Sequence, residues 1–353
     1  MAVDADPALQ ALLLPFADGE LAWPARGGAL FLHARDGAPL HRQPLPGLVC
    51  ATDWKPDADA LVRAGWPTLP EPTMQPDARV PLVLLLPPRQ REHARASFVR
   101  AIDAAAAGGT VIAAMPNDEG ARSGEKDFAC LAGPLRSLSK HHCRVFWSAP
   151  LQGPADPVRA AHWRAADAPR PIAGGRFLSR PGVFAWDRID VASALLAAHL
   201  PPDLSGTGAD LGCGYGALAA RLLERCRGIS ELDLYEADAR ALELARGNLE
   251  GEGRKVAIGF HWHDVAAGLP RQYDFIVTNP PFHAQGREER TDLGRAFIAA
   301  AAAALRDGGR LLLVANRHLP YEAELAARFE HVRTLAQEHG FKVVEAVKRR
   351  TGR

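Results

Sequence analysis

The sequence predicts an α/β protein of two tandem parallel-sheet domains, the second with a seven-stranded mixed sheet. Three observations predict it. From residue 191 onward, apolar runs of strand length alternate with helical stretches, the pattern that gives a parallel sheet with right-handed crossovers. Two blocks of the first half recur, in the same order, in the second. Between the halves, residues 165–175 are rich in proline and glycine and lack periodicity, as a linker should.

The second half reads element by element. Residues 191–200 have a helical pattern that Pro201-Pro202 stops, because proline cannot donate to the next turn. Gly208-Ala-Asp-Leu211 is a short strand, followed by a glycine-rich turn and a helix over 217–225. Strands follow at 231–235 and 256–262, with a helix over 239–249 between them. The apolar run 273–278 is a buried strand. The alanine-rich stretch 293–305 is a helix stopped by Gly308-Gly309, and 310–315 is a fifth strand. Residues 331–337 and 341–348, around His339-Gly340, form an antiparallel pair that closes the sheet at one edge.

The first half repeats this order with parts missing. Val49-Cys-Ala-Thr-Asp53 and Asp57-Ala-Asp-Ala-Leu61 match Asp233-Leu-Tyr-Glu236 and Asp238-Ala-Arg-Ala-Leu242. Pro81 to Leu86, with Pro87-Pro88, matches Phe275 to Asn279 with Pro280-Pro281. A helix over 96–107, Gly108-Gly109 and a strand over 110–114 complete the match. Any two α/β domains share some of this, but matched blocks in one order favour duplication. Residues 1–165 are then a degenerate copy and 176–353 the complete one. The first copy has Leu86 where the second has Asn279, and it lacks the glycine-rich turn.

Composition excludes several classes. The 353 residues are 47% hydrophobic and 24% charged, as in a soluble globular protein. A net charge of +1 gives no global field for nucleic acid, so any basic surface is local. Five cysteines without CxxC spacing fit a reducing cytoplasm better than a disulfide scaffold. The histidines and cysteines show no metal-ligand spacing, and no metal is expected. Met1 leads into Asp4 and Asp6 without a basic region, so no signal peptide is expected, and no apolar run is long enough to span a bilayer.

The chemistry concentrates at strand ends of the second half. Asn279-Pro280-Pro281-Phe282 breaks the strand 273–278 where open α/β sheets hold ligands. It offers an amide oxygen, carbonyls released from the sheet and an aromatic ring, a set suited to a planar amino group. Asp210-Leu-Gly212-Cys-Gly214-Tyr-Gly216 follows the first strand, and glycines there let backbone approach a ligand. A lone G-x-G-x-G fits either a nucleotide or a packing turn. Asp210 would repel a pyrophosphate and attract an ammonium group. Glu236 ends the next strand, where a carboxylate accepts from ribose hydroxyls, and Asp264 after His263 could accept from an adenine amine. Taken singly, Asp264 reads equally as a helix cap and Glu236 as a solvated strand end. As an ordered set they favour S-adenosylmethionine, a ligand with ammonium, ribose and adenine but no phosphate.

These residues give the second half a resemblance to class I methyltransferases with a Rossmann-like fold, and its Asn279-Pro-Pro-Phe282 is similar to the signature of enzymes that methylate planar amino nitrogens. The chain most resembles the small-subunit ribosomal RNA methyltransferase C family and its large-subunit relative, methyltransferase G. Phe177-Leu-Ser-Arg-Pro-Gly182-Val-Phe184 with Asp187 and Asp190 carries that likeness, as do His283, Val314-Ala-Asn316, Leu319-Pro-Tyr321 and Phe341-Lys-Val343. In the first half, Asn117 and Arg122-Ser123-Gly-Glu125 resemble the family's degenerate domain, whereas Ala185 departs from an expected small hydroxyl residue.

The resemblance implies methyl transfer from S-adenosylmethionine to guanine N2 of 16S ribosomal RNA, by a monomer acting on ribosomal RNA or the 30S subunit. Asn279, Pro280, Pro281 and Phe282 would form the catalytic loop. The cofactor would lie against Asp210, Gly212, Gly214, Gly216, Glu236, Ala237, His263, Asp264 and Asn279, with Gly182 and Phe184 as a lid. Phe282, His283, Arg287 and Lys342 are candidates for substrate contact. Arg290 and Arg295 follow the catalytic loop with Arg287 and could bind RNA backbone, and the run Arg136, Lys140, His141, His142 and Arg144 is a further basic candidate in the first half. Glu288, Glu289 and Asp292 make a solvated mixed-charge face an alternative for the loop arginines. Competing functions are methylation of 23S rRNA, of a protein glutamine or of DNA adenine, and a noncatalytic RNA-binding module. The apparent α/β duplication disfavours the glutamine enzyme, and the intact second set of motifs disfavours the noncatalytic one.

Overall fold

The computed structural model describes residues 6–70, 79–250, 256–281 and 291–350. The chain divides into two compact units, Met1–Ala168 with Arg180–Gly182, and Pro169–Ser179 with Val183–Arg353.

The first unit is built on β1 (Ala29–Leu32), β2 (Leu48–Thr52), β3 (Thr68–Pro70), β4 (Val80–Leu85), β5 (Ala105–Pro116), β6 (Leu135–Lys140) and β7 (Cys143–Ser148). Its helices are α1 (Pro7–Ala17), α2 (Lys55–Arg63), α3 (Arg91–Ala104), α4 (Ala121–Ala132) and α5 (Pro157–Ala166). The strand order is β3-β2-β1-β4-β5-β7-β6, with β7 antiparallel to both neighbours. Two apolar cores flank its strands: Leu32, Val83 and Leu85 share one with Phe98 of α3 and Phe128 of α4, and Phe31 and Leu84 share the other with Leu9 and Leu12 of α1.

The second unit begins in the chain with β8 (Arg170–Ile172), which pairs antiparallel with β9 (Phe177–Ser179). The stretch read as linker therefore contains a strand. Its glycines, Gly174 and Gly175 at φ +69° and +88°, make the turn of that hairpin.

The second unit adds α6 (Val191–His199), β10 (Ser205–Leu211), α7 (Ala217–Arg225), β11 (Gly228–Glu236), α8 (Ala239–Leu249) and β12 (Ala257–Trp262). It continues with β13 (Tyr273–Thr278), α9 (Thr291–Ala304), β14 (Leu305–Asn316), α10 (Glu322–Arg328), β15 (His331–Glu338) and β16 (Phe341–Val347). The order β12-β11-β10-β13-β14-β16-β15 repeats the first sheet position by position. Both sheets are seven-stranded, so the first copy has lost less than its sequence suggests. Its missing part is the helix after the first strand: where α7 stands in the second unit, the first has only a 3-10 turn, Ala38–His41.

The repeat is close enough to align residues. α3 and α9 start at 91 and 291, and β5 and β14 at 105 and 305. The Pro-Pro breaks equate Leu85 with Thr278. Strand register then equates Leu32 with Leu211 and Ala51 with Tyr235. It follows that Phe31 stands where the second unit has Asp210, His33 where it has Gly212, Thr52 where it has Glu236 and Leu86 where it has Asn279.

Lys342 requires a correction. β16 lies between β14 and β15, so it is an inner strand. Lys342 is buried on it, with Nζ donating to the Leu319 carbonyl at 2.9 Å and to Glu322. A lysine that closes the polar end of a core cannot reach RNA phosphate. Among the described residues, no helix is long and apolar enough to cross a membrane.

Asp233 is the polar anchor of the second sheet. It is buried on β11, and Oδ2 accepts from the Tyr273 hydroxyl at 2.8 Å and the Arg271 guanidinium at 2.9 Å. Oδ1 lies 3.0 Å from His261 Nε2, and Tyr273 also bonds Tyr235 through their hydroxyls at 2.6 Å. Asp233→Ala strips all three partners of one acceptor. It should cost about 3 kcal/mol, within the range for breaking a buried charged network. Urea unfolding followed by circular dichroism measures this, and a loss under about 0.5 kcal/mol, the scale of a surface change, would contradict it.

Candidate active site

The site is assembled at the carboxyl ends of β10, β11 and β13. Gly212 and Gly214 adopt φ +71° and +56°, and Gly216 at +88° starts α7. The Gly212 amide donates to the Tyr235 carbonyl at 2.8 Å, which folds the turn back over β11. An added Cβ at Gly214 would meet nothing within 4 Å, so this part of the turn borders open space. At Gly216 it would press on Ala245 at 3.3 Å, so that glycine serves helix packing.

Asp210 is the next-to-last residue of β10 and is wholly inaccessible. Both of its carboxylate oxygens are buried without a hydrogen-bond partner. The Ala219 amide lies near enough to offset a little of the cost but makes no bond of ordinary geometry. Burial first, and then the charge of Glu236, push the Asp210 pKa up to about 8. Glu236 is also raised by burial, opposed by backbone amides. Its Oε2 accepts from Gly214 N at 2.8 Å and its Oε1 from Asp238 N at 2.9 Å. Each oxygen keeps a second lone pair for a ligand donor.

The catalytic candidate Asn279 is held more firmly than its sequence position suggests. Its Nδ2 donates to Asp190 Oδ2 at 2.9 Å and to Ser193 Oγ at 2.8 Å. The carboxylate of Asp190 only accepts, which fixes the amide orientation by chemistry. The opposite atom, Asn279 Oδ1, is buried without a partner. The same Asp190 oxygen caps α6 by accepting from Ser193 N at 2.8 Å. On the other side, Thr278 Oγ1 donates to the Leu211 carbonyl at 2.8 Å and locks the ends of β13 and β10 together. Pro280 is buried and Pro281 exposed.

The remaining expected residues divide. The Ala237 carbonyl accepts from Trp262 Nε1 at 2.8 Å, and His263 Nε2 lies 2.6 Å from the Gly268 carbonyl. His263 thus holds its own loop and supplies its backbone amide to the Glu236 carbonyl at 2.9 Å. Asp264 caps the 3-10 turn Val265–Ala267 through Oδ1 and Ala266 N at 2.9 Å. Gly182 is grouped with the first unit, at φ +93°. Phe184 is 57% exposed, and Ala185 holds a left-handed φ of +50°. Phe282, His283, Arg287, Glu288, Glu289 and Arg290 lie outside the described residues. Arg295 is exposed on α9. In the first unit, Arg136 pairs with Glu20 and Arg144 with Glu125, so two cations of that basic run are spent internally.

Sequence reasoning gave no role to Ser193, and none to Asp190 beyond the resemblance. The spacing Asp190-x-x-Ser193 was a cap signal, but its reach to an asparagine 89 positions away is purely tertiary. Asn248 was missed as well. Its Nδ2 donates to the carbonyls of Leu178 and Tyr215 at 2.9 and 2.8 Å, and its Oδ1 accepts from Leu178 N. It fastens β9 to the glycine turn.

Residues 174–345 match the family model for the methyltransferase small domain. The ribosomal RNA small subunit methyltransferase C of Pseudomonas paraeruginosa is 35% identical over 266 residues, covering 73% of this chain and 76% of that protein. This chain belongs to the ribosomal RNA small subunit methyltransferase C family. The Pseudomonas aeruginosa protein of the same name is 35% identical over 232 residues, 64% of this chain and 67% of that one. Among solved structures, a T. thermophilus 16S rRNA N2 G1207 methyltransferase in complex with AdoMet and guanosine superposes with a TM-score of 0.75 at 27% identity. The superposition covers 99% of this chain and 93% of that one. The fold is thus a tandem of class I methyltransferase domains, and the enzyme is S-adenosylmethionine-dependent. The residues fit that ligand on their own terms: an unpaired buried carboxylate suits an ammonium group, and the open side of Gly214 admits close approach.

A raised pKa has a definite sign. Asp210 is pushed from 3.8 to about 8, so its contribution to stability is full below 3.8 and is lost as pH rises through about 8. Carbon-13 NMR of the ligand-free protein should show this carboxyl titrating near pH 8, and Glu236→Gln should lower the midpoint. A midpoint below about 5, close to an ordinary Asp, would contradict the account.

Proposed function

We propose that this chain transfers a methyl group from S-adenosylmethionine to the exocyclic N2 of a guanine in 16S ribosomal RNA. The names of its relatives support the substrate, and so does the guanosine-bound T. thermophilus structure. The observation that carries the reading is the oriented Asn279 amide, whose unpaired buried Oδ1 lies at the end of the strand beside Asp210.

Bound, the cofactor supplies a methyl group already activated on a sulfonium. The task left to the chain is placement and charge. In this reading Asp210 faces the ammonium group, Glu236 the ribose hydroxyls and Asp264 the adenine amine. Asn279 Oδ1 and the Pro280 carbonyl accept the two N–H bonds of the guanine amine. That draws its lone pair out of conjugation and stabilises the positive charge that develops on nitrogen. Phe282 stacks on the base, which must leave its own stack to enter. Asp190 and Ser193 position Asn279 and touch no substrate. Both domain copies lie in one chain, so a monomer working in the cytoplasm is the simplest unit.

Labelled methyl transfer should mark 30S particles or 16S rRNA and leave 50S particles, duplex DNA and release factor unlabelled. Label on release factor alone would overturn the RNA reading. Asn279→Ala should lower turnover by ~100-fold or more, the scale of losing an oriented hydrogen-bonding group, with cofactor affinity by calorimetry kept. Near-normal turnover sinks the role. Asp190→Leu should lower kcat about 10–100-fold with little change in cofactor Kd, as misplacement does, and Asp190→Asn should recover only part of it, because its amide keeps the helix cap but no longer forbids the second orientation of Asn279. Full recovery in Asp190→Asn would reduce Asp190 to a helix cap.

A further inference from the structure

In the first unit, the place equivalent to the cofactor pocket holds a different set of groups. His33 follows β1, Asp53 follows β2 and His93 lies in the first turn of α3. One ligand atom from each falls within 4.8 Å of the others. His33 Nδ1 is 3.9 Å from Asp53 Oδ1, and the two imidazole rings meet edge to face at 5.2 Å. The His33 and Asp53 side chains are 11% and 14% exposed, and His93 is buried.

We propose that His33, Asp53 and His93 form a binding site for one borderline divalent transition ion, with Zn²⁺ as the reference, at the degenerate cofactor pocket of the first unit.

Four observations support it. The donor set, two imidazoles and one carboxylate, suits Zn²⁺ and its neighbours and leaves a coordination position for water. Zn–N bonds of about 2.0–2.1 Å put tetrahedral ligand atoms roughly 3.4 Å apart, so the 3.9 Å pair needs to close by about 0.5 Å. Next, the tautomer of His33 is prepared. The Ser97 hydroxyl donates to the His93 carbonyl at 2.9 Å, so its Oγ accepts from His33 Nε2 at 2.8 Å. In the neutral ring the lone pair then belongs to Nδ1, the atom that faces Asp53. Such outer hydrogen bonds are what orient metal-binding imidazoles.

The third observation is backbone conformation. His33 keeps a left-handed φ of +51° at the position where the second unit has Gly212 at +71°. An imidazole thus occupies a conformation that favours glycine, and Ser97 stands where Phe297 packs on Gly212. The fourth is charge. Asp57 feels the charge of the cluster's Asp53 together with that of Asp6, with Arg35 opposing. Burial, with Asp6 and Asp53 adding to it against Arg35, raises the Asp57 pKa to about 6, which marks an acidic locus that a cation would relieve.

The test uses the full chain, stripped with a chelator and dialysed. ZnCl₂ is titrated against a chromogenic chelator, and CoCl₂ is followed by its visible absorption. The expected result is one Zn²⁺ per chain, with affinity at least tenfold weaker in Asp53→Asn and in His93→Gln, and unchanged in His141→Gln/His142→Gln. Zn²⁺ should also raise the thermal midpoint of the wild type but not of Asp53→Asn. If His93→Gln fails to fold, Asp53→Asn and the nitrogen ligation seen in the wild-type Co²⁺ spectrum decide. No binding, an affinity unchanged by Asp53→Asn, or loss only in the His141/His142 variant would overturn the proposal and leave a hydrogen-bonded histidine cluster.

Discussion

The fork from Asn279 Nδ2 to Asp190 Oδ2 and Ser193 Oγ ties the end of β13 to the first turn of α6. In the proposed reaction, recognition of the planar amine depends on it. An asparagine at a Pro-Pro break has two terminal orientations, and only one presents oxygen to the pocket. The carboxylate removes the other, because an amide oxygen turned toward it would meet a second acceptor. The helix cap and the catalytic clamp use one oxygen, so the folding of α6 and the orientation of Asn279 are a single event.

The price of this arrangement is visible when the copies are compared. The second unit buries a carboxylate without a donor and an amide oxygen without a partner. At the same two positions the first unit buries Phe31 and Leu86. Fully burying such a side chain contributes about 1.5–3 kcal/mol, whereas an unpaired buried polar group costs about 1–3. The first copy therefore gained stability at the points where it lost chemistry. It kept the strand order, the Pro-Pro break and the left-handed turn, the features set by backbone rather than by ligand.

How much was legible in the sequence follows from the same division. Strands and helices of the second unit were readable because apolar periodicity and proline or glycine stops are local signals. Asp210, Glu236 and Asn279 were chosen from the sequence because each falls at the carboxyl end of a strand, and the structure places them at the ends of β10, β11 and β13. Lys342 was misread, since sequence order placed it in a terminal hairpin while β16 inserts beside β14 as an inner strand. Arg136 and Arg144 looked like a basic patch until their partners, Glu20 and Glu125, came from distant elements. Residues 165–175 looked like a linker because a three-residue strand is too short to show a period. Duplication was legible only as two matched blocks, and strand order extends it to the entire sheet.

If Asp210 and Glu236 hold the cofactor as proposed, their electrostatics favour a cation-bearing ligand in particular. Burial and the charge of Glu236 raise the cost of ionising Asp210, so at neutral pH its carboxyl holds a proton until a cation binds. A neutral or anionic nucleotide offers nothing to displace that proton. An ammonium group does, and its binding converts a buried neutral acid into half of an ion pair. Selectivity against nucleotides then comes from the desolvated carboxylate itself: its burial is unfavourable with every ligand except one that brings the missing positive charge. The glycine turn supplies room and the amide fork supplies direction, but the sign of the charge decides which ligand the pocket accepts.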